Sequence, residues 1–246
     1  MTMRNPKVTV TMPAYNVSKF IKEAIESVLA QDYDSFELLI LDDGSTDDTW
    51  EIIKRYKKDP RVRAFRNRKN AGGGAARNKT IRLARGKYIS FCDADDLMLP
   101  GNLKTLSRYL DAHPGTGMVY VKTLVIDVDD KGRLLGIRVN GRDCNKGWDL
   151  IENRIFQGGA MVRKPLLIKA GLYDEMKCYA FVDCGLWLKL SEITRVKYWG
   201  REIFYIYVMV KRAKTLSAQD RRKLISYQRR KQAEAIKRRY NYNIKF

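Results

Sequence analysis

The chain has few of the residues from which many enzymes build their sites. Its 246 residues include a single histidine, His113, and four cysteines that form no CxxC pair. A zinc site built on several histidines is therefore excluded, and a catalytic triad would need His113 as its base. His113 lies in an Asp-Ala-His-Pro-Gly sequence typical of a helix end, so we interpret it as a surface turn residue. So few cysteines are typical of a reduced, cytoplasmic protein.

Long apolar runs and nucleotide-loop signatures are also missing. The longest apolar run, 203–210, is far shorter than the roughly 20 residues that span a bilayer. We therefore expect no membrane span, and the N-terminal sequence predicts no secretory leader. Neither GxGxxG after the first predicted strand nor GK[ST] anywhere is present, which argues against dinucleotide-binding and P-loop sites.

Positive charge is abundant and uneven. Lys and Arg number 48 against 28 Asp and Glu, a net charge of +20, and the last 36 residues, 211–246, carry 13 basic and 2 acidic residues. Residues 218–240 have the pattern of a basic helix with a narrow apolar stripe. Such a helix fits peripheral contact with an anionic membrane surface, docking on the protein's own domain, or nucleic-acid binding, and it is also compatible with a solvated helix face.

The hydrophobic pattern predicts alternating strands and helices in the first 98 residues. Strands are expected at 7–12, 36–41, 62–65 and 88–92, with helices at 20–29, 47–58 and 74–84 between them. This alternation predicts an α/β fold with a mostly parallel, doubly wound sheet. Beyond Asp96 we expect helices at 100–112, 148–153 and 183–191, strands at 118–121, 158–162 and 203–210, and a hairpin over 124–139. We predict one domain, 1–217, with halves at 1–98 and 99–217, followed by a basic helical tail, 218–246.

Polar segments follow the predicted parallel strands, where open α/β sheets bind their ligands. They are 13–16, 42–48, 70–74 and 93–96. Asp93 and Asp95 should lie on one side of an extended segment, where two carboxylates suit Mg²⁺ or Mn²⁺, although a helix-capping cluster is the alternative. Asp43 could accept hydrogen bonds from a base or ribose, or only shape a turn. Tyr15 could stack on a base or pack over the sheet edge.

Several segments together resemble glycosyltransferase family 2, whose members have the Rossmann-like GT-A fold with helices on both faces of a mostly parallel sheet. The resemblance covers about 7–217 and rests on five segments: Val8-Thr-Val-Thr-Met-Pro-Ala-Tyr-Asn, Phe36-Glu-Leu-Leu-Ile-Leu-Asp-Asp-Gly-Ser-Thr-Asp, Asn70-Ala-Gly-Gly-Gly-Ala-Ala-Arg-Asn, Ala84 to Asp96, and Gly171-Leu-Tyr-Asp-Glu with Val182-Asp-Cys-Gly-Leu-Trp-Leu-Lys-Leu.

The resemblance implies an inverting transferase that uses a UDP-sugar and Mn²⁺ or Mg²⁺. The residues it implies would hold the uracil (Pro13, Tyr15, Asp43), lie close to the nucleotide (Arg77), lie by the ribose and metal (Asp93), bind the metal on the diphosphate (Asp95), and act as general base on the acceptor hydroxyl (Asp183). The acceptor would be a hydroxyl of a glycan or of a lipid-linked molecule. The expected location is the cytoplasm, with peripheral contact with the inner face of the membrane.

Two departures from the family pattern qualify this resemblance. Val182 stands where the family usually has the Glu of a Glu-Asp pair, and the stretch before Leu216 lacks the family's frequent His. Lys211 or Arg212 could neutralise the diphosphate instead. The alternatives are transfer to a polyprenyl phosphate, a non-catalytic nucleic-acid- or anion-binding protein, and a degenerate member without activity. The acids at the strand ends argue against nucleic acid, because they repel phosphate.

Overall fold

A computed structural model describes residues 5–129, 133–141, 158–175 and 182–210. In its first part, four strands alternate with three helices: β1 (Val8–Ala14), α1 (Ile21–Leu29), β2 (Phe36–Asp42), α2 (Thr49–Arg55), β3 (Val62–Arg66), α3 (Gly73–Leu83) and β4 (Tyr88–Phe91). A short 3₁₀ turn, Tyr56–Lys58, extends α2. The predicted elements of this half are confirmed, with ends shifted by at most a few residues.

The described residues of the second part form five strands and three helices. They are β5 (Leu97–Met98), α4 (Asn102–Ala112), β6 (Thr116–Val128), β7 (Leu134–Asn140), β8 (Ala160–Arg163), α5 (Lys164–Lys169), α6 (Val182–Ile193) and β9 (Arg195–Val210). The hairpin is confirmed as β6 and β7, but β6 and β9 are longer than the sequence predicts. The helices expected at 148–153 and 218–240, including the basic tail, lie outside the described residues.

The strands form a nine-stranded sheet in the order β3-β2-β1-β4-β8-β6-β9-β5, with β7 pairing with β6. Strands β1 to β4 are parallel to one another, and β8 is antiparallel to both β4 and β6. The long β9 runs parallel to β6, and the pairing of the two strands has three register shifts. The fold is thus α/β with a mostly parallel sheet, as predicted.

Hydrophobic side chains fill both faces of the central strands. Every residue of β2 is buried, as expected of a strand covered on both faces. On one side, α1 contributes Ile21, Ala24, Ile25 and Val28 to the larger core cluster. On the other side, Trp187 and Leu190 of α6 pack with Phe91 of β4 in a second cluster. This packing fixes the ends of β1, β2 and β4, from which the candidate site is built.

His113 caps the end of α4 and is exposed, as expected of a surface turn residue. Its Nδ1 lies 2.8 Å from the carbonyl oxygen of Tyr109, and the two rings stack. No helix among the described residues is long and apolar enough to cross a membrane.

Candidate active site

A cleft of about 240 Å³ opens at the carboxyl ends of the parallel strands. It brings together side chains from the ends of three strands, from α3 and from β9. The residues lining it include all six for which the resemblance implies nucleotide or metal contacts: Pro13, Tyr15, Asp43, Arg77, Asp93 and Asp95. The topology explains this convergence, because β1, β2 and β4 are parallel and end at the same edge of the sheet.

The loops after β1 and β2 are tied to each other. Asn16 has a left-handed backbone, with φ of 52°, and its main-chain N–H donates to the Ser45 hydroxyl at 3.0 Å. In return, the main-chain N–H of Thr46 donates to the Asn16 side-chain oxygen at 2.9 Å. Asparagine tolerates the left-handed region better than most residues do. These bonds fix the floor of the cleft beside Tyr15, whose side chain is 39% exposed.

Asp43 is buried and already has hydrogen-bond donors within the protein. Its carboxylate accepts bonds from the side-chain amide of Asn67 at 2.6 Å and from the main-chain N–H groups of Ala71 and Gly72 at 3.0 Å. The loop that leads from β3 to α3 is therefore anchored to the end of β2. Gly72, with φ of 97°, is the residue preceding α3, and its conformation is one that glycine adopts at low cost.

Arg77 pairs with Asp93 inside the cleft. The guanidinium donates to an Asp93 carboxylate oxygen at 2.8 Å, and the two side chains are only 15% and 21% exposed. Burial by itself lowers the pKa of Arg77, but the carboxylate of Asp93, Tyr173 and the carboxylate of Asp183 outweigh it, so the pKa is raised. Arg77 thus stays positively charged, and among the described lining residues it is the one cation.

Asp96 is fully buried and holds the end of the acidic segment in place. Its two carboxylate oxygens accept bonds from the Tyr205 hydroxyl and the main-chain N–H of Val208, both at 2.9 Å. The Tyr205 oxygen in turn accepts the main-chain N–H of Asp93 at 3.1 Å. Burial, followed by the nearby charges of Asp95 and Asp93, raises the pKa of Asp96 well above its usual range. Strand β9 is therefore the support on which the acidic segment rests.

Asp183 lies in the first turn of α6. Its charge contributes to the raised pKa values of Arg77, of the buried Tyr173 hydroxyl and of the partly buried Tyr207 hydroxyl, so it lies within electrostatic range of all three. Burial is the largest cause for both tyrosines. A carboxylate at a helix start is stabilised by the helix dipole and sits on a stiff support. The residue implied as general base thus lies within electrostatic range of Arg77, which lines the cleft together with Asp93 and Asp95.

The donor set fits a divalent cation that also binds a phosphate. Within the described ranges, no three His, Cys, Asp or Glu side chains converge as a complete metal cage. Asp93 and Asp95 both line the cleft, and one Asp93 oxygen is already held by Arg77. Mg²⁺ usually takes only one or two carboxylates and completes its shell with substrate phosphates and water. Two cleft carboxylates are therefore sufficient protein ligands for such an ion.

The structure adds residues to the site that the sequence did not indicate. Tyr207 of β9 lines the cleft, Tyr205 positions the acidic segment, and Asn67 supports Asp43. The hydroxyl of Tyr173 is buried, lies near Arg77 and Asp183, and has no hydrogen-bond partner within the described part of the chain. Tyr205 and Tyr207 are two residues apart in the predicted strand 203–210, so the period of two places both side chains on the same side of the strand. The partners of β9 were not predictable without the fold.

Comparison with known proteins agrees with this arrangement. The family model described as "Glycosyl transferase family 2" matches residues 9–171 of the chain. The chain is 48% identical over 201 residues to the chondroitin synthase of Escherichia coli, covering 79% of this chain and 28% of that protein. It is 40% identical over 190 residues to an uncharacterized glycosyltransferase of Rickettsia felis, covering 77% of this chain and 31% of the relative. The chain thus spans less than a third of the length of these two relatives.

Solved structures show the same fold. Staphylococcus aureus TarS 1–349 in complex with UDP-GlcNAc superposes with a TM-score of 0.69 at 21% identity, covering 96% of this chain and 73% of that one. The same protein in complex with UDP gives a TM-score of 0.68. At this identity the likeness concerns the fold, while the family assignment rests on the sequence matches. The chain belongs to glycosyl transferase family 2.

Proposed function

We propose that the protein is a metal-dependent, inverting glycosyltransferase that moves a sugar from a UDP-sugar to a hydroxyl of a glycan or a lipid-linked acceptor. The observation that carries this proposal is the convergence of Asp93, Asp95 and Arg77 on one cleft at the ends of the parallel strands, with the charge of Asp183 acting on Arg77. The cleft has side chains suited to a cation and a diphosphate, and Asp183 is the candidate carboxylate base. Complexes of the structural neighbour TarS contain UDP and UDP-GlcNAc, which supports a UDP-sugar as the donor.

The nucleotide end of the cleft would be formed by the loops after β1 and β2. Tyr15 is exposed at the mouth and offers a ring on which the uracil can stack, with Pro13 beside it. Asp43 would accept a hydrogen bond from the uracil while it holds the 71–72 main chain. Its carboxylate has several acceptor positions, so a further donor can be accommodated.

The diphosphate end would lie by Asp93 and Asp95, which would hold Mn²⁺ or Mg²⁺. When bound, the ion would neutralise the charge that develops on the leaving diphosphate. Arg77 stays charged beside Asp93 and would help to orient the same phosphates, since a guanidinium suits phosphate oxygens. Lys211 and Arg212, which lie outside the described residues, are further candidates for this neutralising role.

Asp183 would act as the general base. It would take the proton of the acceptor hydroxyl while that oxygen bonds to the anomeric carbon and the bond to the diphosphate oxygen breaks, so that UDP leaves with the electron pair. One displacement of this kind inverts the anomeric configuration. A positioned base typically contributes about 10²–10⁴-fold to the rate. Val182 occupies the position of the family's Glu, so this chain would orient the acceptor without that carboxylate.

The acceptor is proposed from the relatives and from the charge of the chain. One relative is a chondroitin synthase, which supports a place in polysaccharide or glycoconjugate synthesis. The 13 basic residues of 211–246 would hold the protein against an anionic membrane from the cytoplasmic side, which suits a lipid-linked acceptor. Residues 1–217 would form the transferase domain, with 1–98 as its nucleotide-sugar half and 99–217 as its acceptor half.

Calorimetric titration of UDP with and without Mn²⁺ tests the donor site. We expect Mn²⁺-dependent binding that Asp95→Asn weakens at least tenfold. The matched control is Asp48→Asn, because Asp48 is exposed on the neighbouring loop and its side chain caps nothing. Absence of UDP binding under every metal condition would contradict the proposal.

Release of UDP from UDP-sugars tests the base. Asp183→Asn should lower turnover by 10²–10⁴-fold, as expected for a general base, and should leave UDP affinity within about twofold. If turnover on a hydroxyl acceptor is unchanged in this variant, Asp183 is not the base. Activity on a polyprenyl phosphate that does not depend on Asp183 would favour the alternative reaction, since that acceptor is already anionic.

A further inference from the structure

Three adjacent strands present an apolar face on the side of the sheet away from the cleft. The pairing of β7 with β6 and of β6 with β9 aligns their side chains in two rows of three. One row is Val139, Leu124 and Ile206, and the other is Ile137, Ile126 and Val208. We name these six residues the outer apolar face. Residues directly opposite in a sheet point to the same side, so the six side chains share one surface.

None of these six side chains is buried. Ile137 is 59% exposed and Val139 is 55% exposed, and the four residues on β6 and β9 are partly exposed. The alternate residues of the same strands behave differently, because Val125 and Tyr205 are fully buried. The core therefore covers the opposite side of β6 and β9 at Val125 and Tyr205, while the side that carries the six apolar residues is left uncovered.

Such a surface is unusual for a protein that works alone in water. β7 pairs only with β6 among the described strands, and exposed edge strands are normally protected by charged residues. Contiguous exposed apolar patches of several large side chains usually mark an interaction surface. The outer apolar face is thus a candidate contact surface.

The sequence that follows β9, the last strand of the outer apolar face, is strongly basic. Val128 pairs with both Leu134 and Val210, so the end of β9 lies two strand spacings, about 10 Å, from the start of β7. The sequence from Lys211 onward carries the 13 basic and 2 acidic residues of the last 36 positions. An apolar surface beside a strongly basic segment matches an anionic bilayer, which offers acyl chains and negative headgroups together.

We propose that the outer apolar face rests on an anionic lipid bilayer, while the basic residues of 211–246 bind its headgroups. Ile206 and Val208 flank Tyr207, whose side chain points to the other side of the strand and lines the cleft. Contact through this face would hold the enzyme at the membrane that carries a lipid-linked acceptor. This inference deepens the proposed function and rests on it for the identity of the acceptor, but not for the lipid contact itself.

Vesicle sedimentation of the full chain tests the inference. The probes are vesicles of phosphatidylcholine alone and vesicles with about 30% phosphatidylglycerol, which supply a negative surface. We expect binding to the anionic vesicles that falls with added salt. Replacing Ile137 and Val139 together by Glu should weaken this binding at least tenfold. The matched control is Ile168→Glu, because Ile168 is equally exposed at 55% but lies on α5.

A second variant separates lost apolar contact from added charge and from altered folding. Replacing Ile137 and Val139 by Thr keeps β-branched residues in the strand and adds no charge. It should also weaken vesicle binding, with UDP binding and circular dichroism unchanged. UDP binding in solution reports on the proposed donor site independently, so the failure of one proposal can be distinguished from the failure of the other.

Three results would overturn the inference. The first is wild-type protein that does not bind anionic vesicles. The second is vesicle binding that both double variants retain in full, which would assign the contact to 211–246 alone. The third is a stable dimer in light scattering that either double variant dissociates, which would assign the face to a second copy of the chain.

Discussion

Replacing Asp43 by Asn should destabilise the folded protein as well as weaken nucleotide binding. The Asp43 carboxylate accepts three hydrogen bonds, from Asn67, Ala71 and Gly72, in a nearly fully buried position. Asparagine keeps the shape but replaces one oxygen with an NH₂ group and removes the charge. At least one main-chain N–H then faces a donor instead of an acceptor.

The size of the effect follows from these bonds. Hydrogen bonds to charged groups contribute about 1.5–3 kcal/mol each, and a buried donor left without a partner costs about 1–3 kcal/mol. Loss of one bond and weakening of the others gives a decrease of about 2–4 kcal/mol in the free energy of unfolding. That is a large share of the roughly 5–15 kcal/mol typical of a domain. Since Gly72 precedes α3 and Arg77 lies on it, we also expect UDP affinity to fall at least tenfold.

Urea unfolding followed by fluorescence, together with UDP calorimetry, measures the two effects separately. Asp48→Asn serves as control on the same loop, and its unfolding free energy should change by less than about 0.5 kcal/mol, as for an exposed surface substitution. If Asp43→Asn abolishes UDP binding but leaves the unfolding midpoint unchanged, then the carboxylate does not anchor the 67–72 loop in the free protein. The structural argument would then be refuted.

Two further predictions concern the opposite end of the sheet. Gly86→Ala should lower the free energy of unfolding by about 1–3 kcal/mol, because a Cβ there would meet the main chain of Thr9 in the central strand β1. Gly115 has open space around it, so Gly115→Ala should leave the free energy of unfolding unchanged in the same urea unfolding assay. Burial raises the pKa of Asp111, but hydrogen bonds from Lys7 and Tyr88 outweigh it and lower that pKa. The stability that Asp111 contributes should therefore be present at pH 7 and be lost progressively as the pH falls below about 4. Asp111→Asn should thus be less stable than wild type by about 1 kcal/mol at most at pH 7, and the difference should shrink as the solution becomes more acidic. A pH-independent difference would contradict this assignment.

The parallel half of the fold was predictable because its sequence and its packing agree. The run Phe36–Asp42 is apolar throughout and is buried throughout, since helices cover both of its faces. The polar residues that follow parallel strands all lie at one edge of the sheet. Their meeting in one cleft could therefore be predicted without knowing which strands pair. The positions of Pro13, Tyr15, Asp43 and the 93–95 segment follow from this alone.

The antiparallel half was harder to predict because its order is set by long-range pairing. β5 has only two residues, Leu97–Met98, and exists because β9 pairs with it. The first part of β9, Arg195–Trp199, mixes charged and aromatic residues and becomes a strand by lying against β6. α5 is a six-residue helix with Pro165 in its first turn, too short to produce a clear period. Tyr205 and Tyr207 reach the site only through this pairing.

The electrostatics of the cleft explain why several acids can be concentrated in a protein of net charge +20. Asp93, Asp95, Asp96 and Asp183 repel one another in a partly buried site, where charges interact more strongly than in water. The fold offsets part of this cost through Arg77 and through the raised pKa of Asp96, which favours its neutral form. The remaining negative charge would repel a nucleoside diphosphate. A diphosphate and a divalent cation that bind together would instead relieve the repulsion among these acids. The same carboxylates that destabilise the cleft would therefore make it selective for the diphosphate together with its cation.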